Sequence, residues 1–592
     1  MSAALLALAL AAPPDALLTT AERTDFARTG RYDEAVRLCR ALAKAHPASA
    51  RCLEFGRTPE GRPLVALVAS AEGRLTPERS RGRPVVLLQG GIHAGEMDGK
   101  DAGLVALREL LDRGRKGPLA RAVAILVPVL NADGHERFGP NQRPNQAGPE
   151  ETGWRTTAQN LNLNRDYTKA EAPETRAVLR LLGEWDPVVY ADLHVTDGTV
   201  IRHDLALLVE PVLEGPEPLR AEARRLQAAL LEKLAGHRPL GFYPDFVAPG
   251  DPSSGFAAAV APPRFATGYW AARNRIGLLL EAHSWKDYRT RVEAAGDLVR
   301  ALLELAAAEG ERWLAAAREA DAAGARLAGR DVALAFKAGP RQELAEVLGH
   351  AWRREPSPIA GRPVTVYERA APETWRIPFF PEVEPSLTVK APRAGYLVPA
   401  AHAAWVAEKL RIHGIAFREV GEARGREVLA FRVAEAKIAA APFEGRQRVE
   451  AWGEWRPERR DWPRGSLFVP VAQPRSRLVL HLLEPRGPDS LLSWGFFNAH
   501  LERKEHVEEY VLEPYARMLL AEEPGLGAEF RRRLADPAFA ADAEARLEFF
   551  ARRHPSWDER MGLYPVYRLE EPPELERGKV PQPTRSGAST TP

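Results

Sequence analysis

The stretch "PVVLLQGGIHAGEMDGKDAG", residues 84–103, decides how the first half of this chain reads. It opens as an unbroken apolar run, the pattern of a strand buried on both faces. Gly90 and Gly91 then break it. His93 and Glu96 follow, with Gly95 between them, before helical spacing begins near residue 99. Glycines allow a sharp turn and leave room for a ligand. An imidazole and a carboxylate at the carboxyl edge of a buried strand could be half of a metal site or an ordinary strand-to-helix turn. A lone H-x-x-E does not decide between them.

The flanking sequence supplies a frame. Strand-like runs at 83–89, 122–130, 187–195 and 276–283 alternate with helical runs at about 99–113, 173–185 and 217–235. Alternation of this kind predicts an α/β fold with a mixed, mostly parallel twisted sheet flanked by helices, ligands lying beyond the carboxyl ends of its strands. "LEFGRTPEGRPLVALVAS" reads as a hairpin around Pro59-Glu60-Gly61, and an Ala/Leu/Glu/Arg-rich helix closes the unit near residue 328.

The chain has 592 residues, 45% hydrophobic and 27% charged, enough for two to four domains with a sizeable core. Its 82 basic and 80 acidic side chains leave a net charge of +2, which gives no argument for nucleic acid or an anionic membrane. No apolar run approaches the ~18 residues of a membrane span. Residues 3–12 form an apolar block ending at small residues and two prolines, which resembles a signal-peptide core over 1–18 and suggests a periplasmic or secreted protein. No Lys or Arg precedes the block, and an amphipathic helix on a cytoplasmic protein is the alternative. The two cysteines, Cys39 and Cys52, provide no cysteine zinc cluster; they could pair in an exported protein or be small buried side chains.

Residues 19–328 read as one unit built on that sheet. Residues 329–485 read as a smaller α+β accessory region, with short β-like runs ("DVALAF", "RPVTVYE", "LTVKAP", "RLVLHLLEP") and one helix at 399–412. Residues 486–576 read as a helical segment packing on the rest, and 577–592 as a disordered tail by composition.

Among 14 histidines, H-x-x-E occurs three times. His481 and Glu484 read as part of a strand, where three residues apart means opposite faces. His506 and Glu509 read as a polar helix face with no further ligand near. His93 and Glu96 differ, because a catalytic zinc needs a third ligand and a later strand supplies one. "VVYADLHV" ends in His194, with Asp192 on the same strand face to hold its ring. "RIGLLLEAHSW" ends a buried strand with Glu281, and a carboxylate there is costly unless it works or is paired. His283 shares that strand face.

These pieces, in this order, resemble the zinc metallocarboxypeptidases of the carboxypeptidase A type over roughly residues 20 to 310. "HAGE" corresponds to the family's H-x-x-E, "NADG" (131–134) to N-P-D-G, "GWRTT" to a loop carrying an electrophilic arginine, and "LNLNRDY" to its N-R pair. The resemblance implies one zinc ion on His93, Glu96 and His194, with Glu281 as general base and Arg155 on the developing oxyanion. Asn164 and Arg165 would hold the C-terminal carboxylate of a peptide or protein substrate. Asn162 stands where the family often has an acidic residue. No tyrosine fits the family's mobile cap well, Tyr243 and Tyr269 being nearest, and the segment 239–271, with Arg264, Asp245 and Asp251, should line the pocket for the terminal side chain. The implied activity is hydrolysis of C-terminal peptide bonds by metal-activated water. A cell-wall peptide or other amide hydrolase, or an inactive peptide-binding protein, are the rivals. Nothing in the sequence sets the oligomeric state.

Overall fold

The computed structural model describes residues 14–196 and 199–574. The apolar block at 3–12 and the tail at 577–592 lie outside the described residues. The central sheet is built from β1 (Ala50–Arg57), β2 (Pro63–Ala69), β3 (Val85–Gly90), β4 (Val123–Val127), β5 (Val189–Val195), β6 (Leu205–Glu210) and β7 (Ile276–Ala282), in the spatial order β1-β2-β4-β3-β5-β7-β6. The pairings β4–β3, β3–β5 and β5–β7 are parallel, while β2 and β6 run against their neighbours. The mostly parallel α/β class read from the sequence is what the sheet shows. The hairpin at Pro59-Glu60-Gly61 joins β1 to β2, whereas β6, "LALLVE", was not among the expected strands.

Both faces of the sheet are covered, which explains the unbroken apolar runs. On β3, Val86 and Leu88 point into one core with α1 (Tyr32–Ala45), α2 (Asp98–Arg113), α4 (Glu217–Lys233) and α5 (Tyr288–Gly324). Val85 and Leu87 point the other way, against α3 (Pro173–Trp185). That second core continues through Val332, Tyr396, Val406, Leu410 and the run Leu478–Leu480, so the C-terminal region shares hydrophobic packing with the sheet and its helices. The cysteines of α1 and β1 form a disulfide, Cys39–Cys52.

The C-terminal region is rich in strands, and they are long. Glu343–Ser357 pairs with the 19-residue strand Arg362–Phe380, and Ala423–Ile438 pairs with Val449–Trp462. The first hairpin reaches back to the N-terminal unit, where Phe379 and Phe380 pair in parallel with Phe256 and Ala257. The end of the described chain returns as the strand Tyr567–Leu569 beside Gly395–Val398.

Two local expectations need correction. "RLVLHLLEP" is not a strand: Ser476–Leu483 is an α-helix whose apolar residues are buried while Arg477 and His481, four residues apart, lie half-exposed on one face. Arg477 and His481 recur at the helical spacing of four, a period the strand reading passed over, and leucines favour the helix. His481 and Glu484 still form no site, because Glu484 is taken up by Arg568 at 2.6 Å and by the Tyr396 hydroxyl. His506 precedes the helix Glu509–Glu522 rather than lying on it, so the expected helical face does not exist there.

Candidate active site

Three neighbouring strand ends build the site. Past β3 the chain turns at Gly91, whose φ of +58° suits glycine, and Gly95 is packed so closely that a Cβ would fall 2.5 Å from the Gly153 carbonyl. The turn sets the H-x-x-E pair against the tip of β5. Glu96 lies 2.9 Å from Nδ1 of His93 through one oxygen and 2.9 Å from Nδ1 of His194 through the other. All three side chains are buried, and their ligand atoms lie within 4.8 Å of one another.

Each outward imidazole nitrogen meets an oxygen. His93 Nε2 is 3.1 Å from Asn162 Oδ1, and His194 Nε2 is 2.8 Å from Asp192 Oδ2. Asp192 is itself held by Gln89 Nε2 at 3.1 Å. Two imidazoles turning the same nitrogen inward, one carboxylate and oxygens fixing both rings make a donor set that fits a zinc ion with an open position. Asn162 thus does by amide what an acidic residue would do by charge.

Burial pulls the His93 imidazole down to about 4, although Glu96 opposes the shift. For Glu96 burial acts upward and is outweighed by His93, Arg143 and His194, so the carboxyl sits well below its usual range. At His194 burial lowers the imidazole, and Asp192 with Glu96 more than reverses it.

Glu281 stands opposite His194 in the β5–β7 register, buried at 8% exposure. Arg155 reaches within 3.9 Å of Glu96. Asn164 fixes its oxygen on the Ala266 N–H at 3.0 Å and turns its amide nitrogen toward His194, at 3.5 Å. Arg165 stacks on Phe265 at 4.2 Å and has no carboxylate partner among the described residues. Burial, together with Arg155 and Arg264, pulls its guanidinium down to about 10. All seven candidate residues line one cavity of about 670 Å³.

Other expectations resolve unevenly. Tyr243 and Asp245 line the cavity. Tyr269 is buried beneath it with its hydroxyl 2.9 Å from His413. Arg264 pairs with Asp489 at 2.9 Å, Asp251 with Arg354 at 3.2 Å, and His283 bonds to the loop at Thr199 and Ile201 rather than to the centre.

Several contributors escaped the sequence reading. Arg143 donates to Glu96 at 2.9 Å, and nothing in "NQRPNQ" marks it. Buried Arg291 holds Asp98, next to the H-x-x-E turn, and donates to the carbonyls of Ser284 and Lys286 beyond β7. Glu210 closes β6 and lines the cavity; its signal, a carboxylate ending "LALLVE", is the same one that exposed Glu281. Phe379 and Pro381 bring the C-terminal region to the cavity wall, and Glu444 accepts the Asn162 N–H at 2.8 Å.

An α/β sheet carrying a His-Glu-His donor set and an apposed carboxylate at its carboxyl edge is the class of site defined here. Residues 35–204 match the family model described as zinc carboxypeptidase, Peptidase_M14, which spans the three donors and ends before Glu281. Human Carboxypeptidase D is 30% identical over 200 residues, covering 27% of this chain and 14% of that protein. The alignment thus spans about a seventh of the relative's length. Among solved structures, a metallo-carboxypeptidase from Burkholderia cenocepacia is 19% identical over 45% of this chain and 67% of its own, with a TM-score of 0.33. Carboxypeptidase A from Helicoverpa armigera is 16% identical over 50% and 75%, with a TM-score of 0.33. The resemblance to the zinc carboxypeptidase family thus holds over the segment that carries the donor set.

Proposed function

We propose that this protein is a zinc-dependent metallocarboxypeptidase that hydrolyses the C-terminal bond of peptides. One observation carries the reading: donor atoms of His93, Glu96 and His194 gathered within 4.8 Å, with Glu281 in register beside them. A bound zinc ion supplies a Lewis acid and makes water ionisable near neutral pH. Glu281 receives the proton of the attacking water and passes it to the leaving amine. Arg155 donates to the oxygen of the scissile carbonyl as negative charge grows there. Arg165, a planar donor without a carboxylate of its own among the described residues, grips the terminal carboxylate of the substrate, and the Asn164 amide assists. The terminal side chain occupies the 670 Å³ cavity, whose walls include Leu208, Phe242 and Phe379 beside the carboxyls of Glu210 and Asp245.

The protein is further proposed to work in an oxidising compartment, which the Cys39–Cys52 bond supports. Metal analysis of the purified full chain, alongside peptides differing only in their last residue, tests the main reading. Stoichiometric zinc with release of single terminal residues is the expected result. Zinc without peptide release, but with cleavage of another amide, would transfer the site to the cell-wall reading. Zinc with no hydrolysis would leave a peptide-binding protein.

A further inference from the structure

A second, smaller cavity of about 250 Å³ opens on the same rim of the sheet. Its walls are Arg202, Lys286 and Arg369, the imidazoles of His283 and His350, and Ile201 and Trp285. It shares no lining residue with the main cavity. His350 and Arg369 come from the paired strands Glu343–Ser357 and Arg362–Phe380, while Ile201 and Arg202 follow β5, and His283, Trp285 and Lys286 follow β7, the strands bearing His194 and Glu281. The His283 ring ties them together by accepting the Ile201 N–H at 3.1 Å, and the Arg202 N–H fixes them to the C-terminal region through the Leu348 carbonyl at 2.7 Å.

Among the described residues the positive charge here is only partly paired. Lys286 is paired with Asp204 at 2.7 Å, but the guanidinium groups of Arg202 and Arg369 have no ion pair among the described residues. Arg369 lies 3.5 Å over the Trp285 ring, which fixes its plane and leaves its edge free to donate. Nδ1 of His350 is buried without a hydrogen-bond partner. Burial pushes the His350 imidazole down, and the charges of Arg202, Lys286 and Arg369 add to it against a backbone hydrogen bond at Arg369. Solvated arginines on an ordinary surface diverge; these converge on one concavity that an anion would relieve.

We propose that this cavity is an oxyanion subsite taking a carboxylate of the substrate peptide upstream of the scissile bond, with Arg202 and Arg369 as its donors. The proposal rests on the carboxypeptidase reading for the direction of the chain. His283 lies two residues past Glu281, so the cavity begins within roughly 7 Å of chain from it, and an extended peptide advancing about 3.3 Å per residue places the acidic side chain about two to four residues before that bond.

The test uses full-length, zinc-loaded Glu281→Gln protein and fluorescent peptides with a free C-terminus that differ only by Glu or Gln two, three or four residues before it. Anisotropy titrations should show the best-placed Glu peptide binding about tenfold tighter at low salt, the effect of one charge-assisted pair. Arg202→Ala and the exposed Arg369→Ala should bring Glu and Gln peptides toward parity without weakening the Gln peptide, and millimolar inorganic phosphate should compete only with the Glu peptide. Equal binding of Glu and Gln peptides at every position overturns the proposal. So does calorimetric binding of inorganic phosphate lost in Arg202→Ala while the peptides stay equal, which would mean a free-anion site unconnected to substrate. Wild-type protein that keeps the Glu preference yet hydrolyses no peptide would instead overturn the carboxypeptidase reading and leave the subsite standing.

Discussion

Glu281 pairs with His194 across the parallel register of β5 and β7, so one hydrogen-bond ladder fixes a candidate base beside a candidate metal ligand. Adjacent strands lie about 4.8 Å apart, so the two side chains open side by side into the same cavity. Glu281→Gln preserves the shape and hydrogen-bonding reach but cannot take up a proton. Turnover should fall by about 10²- to 10⁴-fold while bound zinc stays near wild type. Parallel measurements of kcat and metal content check this, and near-normal kcat would remove Glu281 from the role.

The donor set makes a second prediction. Phenanthroline should abolish peptide hydrolysis and added zinc should restore it, because no other described cluster of His, Cys, Asp and Glu has ligand geometry. An ion that binds only the folded state also stabilises it, by about 4 kcal/mol at a free concentration a thousandfold above Kd. Calorimetric melting with and without chelator should therefore show a lower Tm for the stripped protein, and His194→Ala should lose the difference. Activity that survives chelation is incompatible with the mechanism.

Arg165→Ala separates recognition of a free terminus from general peptide binding. A charge-assisted bidentate contact is worth about 1.5–3 kcal/mol, so kcat/KM on peptides with a free carboxylate should drop about 10- to 100-fold. C-terminally amidated peptides should be poor substrates for wild type and almost unaffected by the substitution. Equal losses on both kinds would place Arg165 outside carboxylate recognition and point to internal cleavage.

How much of this was legible from sequence depends on where each residue gets its meaning. His194 and Glu281 close apolar runs, where a polar group advertises itself, and His93 and Glu96 sit in the glycine-rich turn that follows one. Arg155 and Arg165 carried no such local mark among the many arginines and were reached only through the family resemblance. Arg143 and Arg291 were invisible for the same reason, since their role comes from contacts made across 47 and 193 residues of chain. In the C-terminal region the strand reading missed Ser476–Leu483, where Arg477 and His481, four residues apart, mark the one half-exposed face of a helix. Nor could any local pattern have brought Phe379 to the cavity, because that placement depends on a parallel pairing with Phe256.

The Cys39–Cys52 bond joins α1 to the edge strand β1 and closes a short loop, with a sequence separation of 13. Chain-entropy arguments assign a loop of that size about 3 kcal/mol of stabilisation at 25 °C. Denaturant midpoints should fall in the Cys39→Ser, Cys52→Ser double variant, and reductant should lower the wild type to the same value. Since both residues are remote from the donor set, kcat should be unchanged under native conditions. A midpoint insensitive to reductant would mean the bond contributes nothing.

Glu210 gives stability a pH dependence of definite sign. It is 2% exposed, and burial raises its carboxyl to about 7, although the Ala261 and Val212 N–H groups favour the charged form. Below its unfolded value near 4.5 the group is protonated in both states and costs nothing. Between pH 4.5 and 7 the unfolded chain ionises it while the folded protein holds the proton, so stability falls as pH rises. Above pH 7 both states are ionised and the penalty levels off at up to about 3 kcal/mol. Glu210→Gln removes the titration, so its stability advantage over wild type should be small at pH 5 and grow toward pH 8. Urea unfolding at three pH values reads this directly, and a gap that stays constant across that range would show that Glu210 titrates as it does in the unfolded chain.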